Sequence, residues 1–205
     1  MSKNKYIWSL DLSTTNVGAA LWDNKGELVE LKHLKLKVST KVNVEDRFIY
    51  KANTFKEYVM MFKQRINNEF DGEIISVVIE EPLGGSNNLK TVATLFEFNG
   101  ICRYIIYEIL GIIPIKISVH ESRKAFFPEF VFNKKVKGEI TQVLSFPNTV
   151  EWKETKKLMI WKKVASIYPN IDWILNDDGT PKDMCFDMSD SIVVGVAGLK
   201  LLNIL

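Results

Sequence analysis

The stretch Tyr6-Ile7-Trp8-Ser9-Leu10-Asp11-Leu12 decides the fold. It is an apolar run that closes on a carboxylate, the pattern of a buried strand with a polar tip. Ser13-Thr14-Thr15-Asn16 follows as a polar turn, and Val17-Gly18-Ala19-Ala20-Leu21-Trp22 reads as a second strand. Asn24-Lys25-Gly26 is a hairpin signal. Residues 28–38 alternate apolar and basic side chains, as a half-buried third strand does. Three strands joined by short turns make an antiparallel meander.

Beyond the meander, Phe48, Ala52, Phe55, Val59 and Phe62 recur at helical spacing and predict a helix over 44–68. Ile74-Ile75-Ser76-Val77-Val78-Ile79 is almost wholly apolar and stops at Glu80-Glu81-Pro82, which predicts a central strand covered on both faces. A loop at 84–88, a helix over 89–110 and a strand over 112–118 come next, then a short basic helix over 119–127. Alternation in Glu139-Ile140-Thr141-Gln142-Val143-Leu144 makes 128–152 an extended arm or hairpin insertion. Helices over 154–168 and 187–202 complete a βββαβαβα order, an α/β architecture with helices layered on a mixed sheet.

At 205 residues the chain is sized for one domain, residues 1–205 with the insertion included. Hydrophobic residues make up 46% and charged residues 25%, which excludes a disordered or fibrous chain. A domain of this size needs no disulfide staple. Cys102 and Cys185 lack zinc-site spacing and are expected as reduced, buried thiols. Met1-Ser2-Lys3-Asn4-Lys5-Tyr6 holds no apolar leader core. The greasiest stretch, 101–117, is broken by Arg103, Glu108 and Lys116. These features lead to the expectation of a cytoplasmic protein with no membrane partner.

The net charge of +2 carries no nucleic-acid signal, but its distribution does. Residues 32–56 hold seven basic and two acidic residues, 116–138 hold six and two, and 153–163 hold five and one. Residues 172–190 hold six aspartates and one lysine. Basic surface beside a concentrated acidic patch fits an enzyme that grips phosphates and holds divalent metal. Any one stretch taken alone reads equally well as a solvated helix face.

Four carboxylates come from three places. Asp11 ends the first strand, Glu80 ends the central strand, and Asp187 and Asp190 open the last helix. Residues three apart share a helix face, and the carboxyl edge of an α/β sheet is a usual place for a site. Oxygen-only ligands suit Mg²⁺ or Mn²⁺. Two such ions about 3.5–4 Å apart clamp the attacking and leaving oxygens of phosphodiester hydrolysis. Singly, each acid has an ordinary role as turn former, strand end or helix cap. Jointly they would repel one another strongly without a cation, so the set points to a site for two ions.

Trp8-Ser9-Leu10-Asp11-Leu12-Ser13-Thr14-Thr15-Asn16-Val17-Gly18-Ala19-Ala20-Leu21 resembles the opening strand pair of RuvC-type Holliday junction resolvases. Val78-Ile79-Glu80-Glu81-Pro82 resembles that family's second acidic strand, and Asp187-Met188-Ser189-Asp190-Ser191 its closing D-x-x-D-A helix. The nearest look is that of phage, viral and low-GC relatives. The resemblance implies a ribonuclease H-like fold: a mixed five-stranded sheet, with a three-strand antiparallel meander plus two parallel strands, flanked by helices. It implies a homodimer that nicks four-way and other branched DNA with Mg²⁺, for which Mn²⁺ substitutes. It assigns Asp11, Glu80, Asp187 and Asp190 as catalytic metal ligands, with Glu80 preferred to Glu81 because the family's acid directly follows the apolar strand. The helix beginning Val119-His120-Glu121-Ser122-Arg123-Lys124 is similar to the family's basic helix, so Arg123 and Lys124 would touch DNA, while Lys156 or Lys157 would fill the role of a later lysine. The family's glycine-bearing basic loop is replaced here by 128–152, whose Lys134 and Lys135 are further DNA-contact candidates.

Asp11-Leu12-Ser13-Thr14-Thr15-Asn16 also resembles the first phosphate loop of actin-like ATPases, heat-shock chaperones among them. Those proteins need two such lobes, for which 205 residues leave no room. A junction-binding protein without nuclease activity is the other alternative. Among the aromatics, Phe126, Phe127 and Phe132 are the candidates for stacking on unpaired bases, although packing is the commoner fate of such residues. His33 and His120 are expected at the surface.

Overall fold

The computed structural model describes residues 3–43, 46–82, 89–136, 139–146 and 156–205. Strands β1 (Asn4–Leu12), β2 (Asn16–Asp23) and β3 (Leu28–Lys35) form the meander. Helix α1 (Arg47–Glu69), strand β4 (Gly72–Glu81), helix α2 (Leu89–Leu110) and strand β5 (Ile115–Ser118) follow. The sheet order is β3-β2-β1-β4-β5, antiparallel within the meander and parallel from β1 through β4 to β5. Helix α3 (Val119–Phe126) leads into strands β6 (Val131–Val136) and β7 (Glu139–Leu144), a separate antiparallel pair inside the segment expected as a hairpin. Helices α4 (Lys156–Ile167) and α5 (Asp183–Leu201) end the chain. No helix of the described residues is long and apolar enough to cross a membrane.

Alternation sorts each central strand between two cores. Trp8, Leu10 and Leu12 of β1 join Phe55, Val59, Phe62 and Phe98 on the face covered by α1 and α2. Ile7 joins Ala20, Trp22, Val78 and the α5 residues Ile192, Val193 and Val194 on the other face. Ser9 points the same way as Ile7: its hydroxyl accepts from Trp22 Nε1 at 2.8 Å and donates to the Ser191 carbonyl at 2.8 Å. That polar tie lies under Gly195 of α5, where a Cβ would stand 2.5 Å from Trp22 Nε1. The glycine is what lets the helix backbone sit this close to the sheet.

Several boundaries differ from the sequence expectation. Strand β5 starts at Ile115, because Pro114 supplies no N–H for the ladder. Helix α5 starts at Asp183, a full turn before Asp187. Its N-cap is Lys182, held by a hydrogen bond from its backbone N–H to the Ile174 carbonyl at 3.0 Å. Asp187 and Asp190 therefore cap nothing and are free for another task. Cys102 and Cys185 are buried and unbridged.

Candidate active site

Asp11 and Glu80 reach one spot through strand register. Leu10 pairs with Ile79 across the parallel β1–β4 ladder, so the next residues, Asp11 and Glu80, leave the sheet side by side. Both keep the parity of the α5 face, Asp11 with Ile7 and Glu80 with Val78. Glu81 has the opposite parity and pairs with Lys116 at 2.5 Å, which separates it from the acids.

Helix α5 brings the other two. Asp11 lies opposite Gly18, and Gly18 lies opposite His33, a row running across β1, β2 and β3. A Cβ on Gly18 would stand 1.9 Å from the Asp187 carbonyl oxygen, so glycine is required for α5 to dock there. At the end of the row, His33 Nε2 lies 3.3 Å from Asp187 Oδ2, with side chains only 8% and 15% exposed. His33 is thus a half-buried neighbour of the acids and not the surface residue expected from the sequence; His120 is exposed.

Helix α3 frames the far side. Its Ser118-x-x-Glu121 capping box fixes the first turn. One residue on, buried Ser122 donates to Glu80 Oε1 at 3.1 Å. Buried Asn99 of α2 donates its amide to the Glu80 carbonyl at 3.2 Å, tying down the strand end.

The carboxylates lie in a shared electrostatic environment. Burial, then Glu80, Asp190 and Asp187, push the Asp11 carboxyl well above its ordinary value, opposed by Lys157. Burial and Asp190 push Glu80 up to about 7 against Arg123 and Ser122. Burial pushes Asp190 up to about 6 against Arg123 and Lys157. Burial also raises Asp187, with His33 and Lys157 opposing. Burial is the largest cause in all four, and repulsion within the set adds to it at Asp11, Glu80 and Asp190.

The donor set fits a hard divalent cation in kind: oxygen ligands, mutual repulsion and partial burial. It does not present a finished coordination shell. Among the described residues, no three His, Cys, Asp or Glu side chains stand where they could hold one metal ion. Holding an ion in common requires the carboxylates to turn toward one another from these positions.

Of the expected DNA contacts, Arg123 and Lys157 join the acids. Lys124 acts on Glu121 instead. Lys156 is exposed at the start of α4, and Lys134 and Lys135 are exposed on β6. Phe126 and Phe127 are buried, 6% and 2% exposed, beneath Lys163, whose Nζ lies 4.5 Å from the Phe127 ring centroid. They are core residues and not stacking platforms, because α3 is anchored through that face. Phe132 is exposed. The loop expected at 84–88 and the end of the expected arm, 147–152, lie outside the described residues.

No protein-family model and no curated protein matches the chain by sequence. Solved structures do match in fold. Thermus thermophilus RuvC in complex with a Holliday junction substrate aligns at a TM-score of 0.56 and 10% identity, covering 97% of this chain and 95% of that one. Thermus thermophilus RuvC alone aligns at 0.51 and 12%, covering 97% and 96%. The yeast mitochondrial Holliday junction resolvase Ydc2 aligns at 0.50 and 9%, covering 97% and 79%. The chain therefore has an α/β, ribonuclease H-like fold, a mixed five-stranded sheet with flanking helices.

Proposed function

We propose that this protein is a divalent-metal-dependent endonuclease that resolves four-way DNA junctions, and acts on related branched DNA, as a homodimer. The observation that carries the reading is the meeting of Asp11, Glu80, Asp187 and Asp190 from three elements at one end of the sheet, each with a raised proton affinity. These four would hold Mg²⁺ or Mn²⁺, which would supply Lewis-acid polarisation of the phosphate and a more acidic bound water. The chain's own groups set the stage for it. Ser122 and Asn99 fix the Glu80 end of β4, and His33 and Gly18 fix Asp187. Arg123 and Lys157 lie beside the acids, where they can take the charge of a bound phosphate. A two-fold dimer suits a junction of similar symmetry, with one site for each of two strands.

A second reading, a junction-binding protein without nuclease activity, is favoured by one observation: no three of the acids are placed to hold one ion. A cleavage assay with Mg²⁺ on a synthetic four-way junction, a flap and a linear duplex separates the two. Nicking of the junction that Asp11→Asn abolishes, with junction binding retained, is the expected result. Tight binding with no cleavage in Mg²⁺ or Mn²⁺ would establish the second reading instead.

A further inference from the structure

At the β3 edge of the sheet a cleft of about 410 Å³ opens between β3, the start of β2 and the loop leading into α5. Asn16, His33, Lys35, Asn176, Lys182 and Asp183 contribute to its walls. Register places it beside the acids. Lys35 lies opposite Asn16 and His33 opposite Gly18, which itself lies opposite Asp11. Directly opposed residues share a sheet face, as do residues two apart on one strand. Lys35 and His33 therefore stand on the face that carries Asp11, and His33 touches Asp187 across the cleft's inner wall.

The walls are held in place. The Leu175–Pro181 bridge, the Asn176 N–H to the Thr180 carbonyl at 2.8 Å and the Lys182 N–H to the Ile174 carbonyl at 3.0 Å close a small loop that fixes Asn176 and Lys182. Lys35 and Lys182 are exposed, and among the described residues neither pairs with a carboxylate. Asp183 is the only carboxylate of the lining, against two lysines. A cleft with surplus positive charge and carboxamide donors, abutting a cluster of acids, is complementary to a phosphodiester chain that continues past those acids.

We propose that this cleft binds the backbone of the same DNA strand whose scissile phosphate lies at the acids, with Lys35 and Lys182 contacting its phosphates. The inference rests on the nuclease reading and gives the strand a direction. In the order β3-β2-β1-β4-β5, the cleft lies at the β3 edge and Arg123, just after β5, at the other, with Asp11 and Glu80 between. None of the basic stretches that stand out by charge density includes Lys182, which is the single lysine of an acidic segment.

The test is equilibrium binding of a labelled four-way junction by Asp11→Asn protein across a salt series. Lys35→Gln with Lys182→Gln should weaken binding about tenfold near 0.1 M salt. It should also flatten the plot of log affinity against log salt by about 1.4–1.8, the share of two phosphate contacts. Lys3→Gln with Lys25→Gln, at a cleft by the opposite end of β1, should leave the slope unchanged and control for net charge. A wild-type slope in the first pair, or an equal loss in the control pair, overturns the cleft while leaving the nuclease reading intact. Failure of the parent Asp11→Asn protein to bind branched DNA at all defeats the nuclease reading, and the cleft falls with it.

Discussion

The two faces of the sheet are built on opposite principles. The face under α1 and α2 is sealed by large apolar rings, with Trp8 stacked on Phe62 at 4.3 Å and Phe48 edge-on to Phe98 at 5.3 Å. The face under α5 buries Ser9, Ser122, Ser189 and Ser191 and carries four carboxylates at its rim. The first face stores stability, and the second gives some up to keep acids close together. Removing a ring from the first face and neutralising an acid on the second should therefore have opposite signs.

The largest effect belongs to the apolar face. Phe55 of α1 is fully buried among Trp8, Val59 and their neighbours. Phe55→Ala should cost about 3–5 kcal/mol, most of it from the cavity left behind. Urea unfolding measures this, and a loss under 1 kcal/mol would mean that this face collapses onto the gap. Gly18→Ala comes next. Its Cβ meets backbone, the Asp187 carbonyl at 1.9 Å, so α5 itself must move. A cost of about 3 kcal/mol is expected, together with loss of nicking, because Asp187 moves with the helix. Unchanged stability would show that α5 docks more loosely than its contacts imply.

Neutralising an acid on the second face should do the reverse. A carboxyl with a raised folded pKa lends stability below its unfolded value and loses it as pH rises through the folded one. For Glu80, raised to about 7, and Asp190, raised to about 6, the loss falls between about pH 4 and pH 7. The metal-free protein should therefore melt at a lower temperature at pH 7.5 than at pH 5. Asp11→Asn should raise its Tm at pH 7.5, because it removes a charge that burial and the neighbouring Glu80, Asp190 and Asp187 all disfavour. Saturating Mg²⁺ should stabilise the unsubstituted protein and do little for the variant. Differential scanning calorimetry at the two pH values decides the matter, and a Tm that falls in Asp11→Asn would mean that the acids are not in conflict.

How much of this was legible in the sequence follows the same division. Asp11 and Glu80 were readable because an apolar run that stops at a carboxylate marks a strand tip from local pattern alone. Strand β7 showed through alternation over 139–144, and the α1 face through helical spacing. The start of α5 was hidden because its cap depends on a hydrogen bond to Ile174, eight residues back along a looped chain. His33 was hidden by register: the β2–β3 ladder shifts between Leu21 and Trp22, so counting back from the Asn24-Lys25-Gly26 turn gives the wrong pairing. Phe126 and Phe127 looked available because they end a basic helix. Only the packing of α3 against α5 and the cation Lys163 over their rings show that they are covered.

His33 offers the finest test of the contrast, because it is the one long side chain of β3 that reaches the acids. A carboxylate accepts but cannot donate, so the ring supplies the proton in its contact with Asp187 Oδ2. Removing a group that orients a metal-binding side chain typically costs at least tenfold in metal affinity. His33→Ala should raise the Mn²⁺ concentration that gives half-maximal thermal stabilisation about tenfold. His33→Gln keeps a donor at similar reach and should recover a large part of that loss. The metal-free Tm of the two variants should be nearly equal, since the ring contributes little to either core. Equal Mn²⁺ midpoints in wild type and His33→Ala would show that packing on Gly18 alone holds Asp187 in place, which would make the second face more rigid than its polar composition implies.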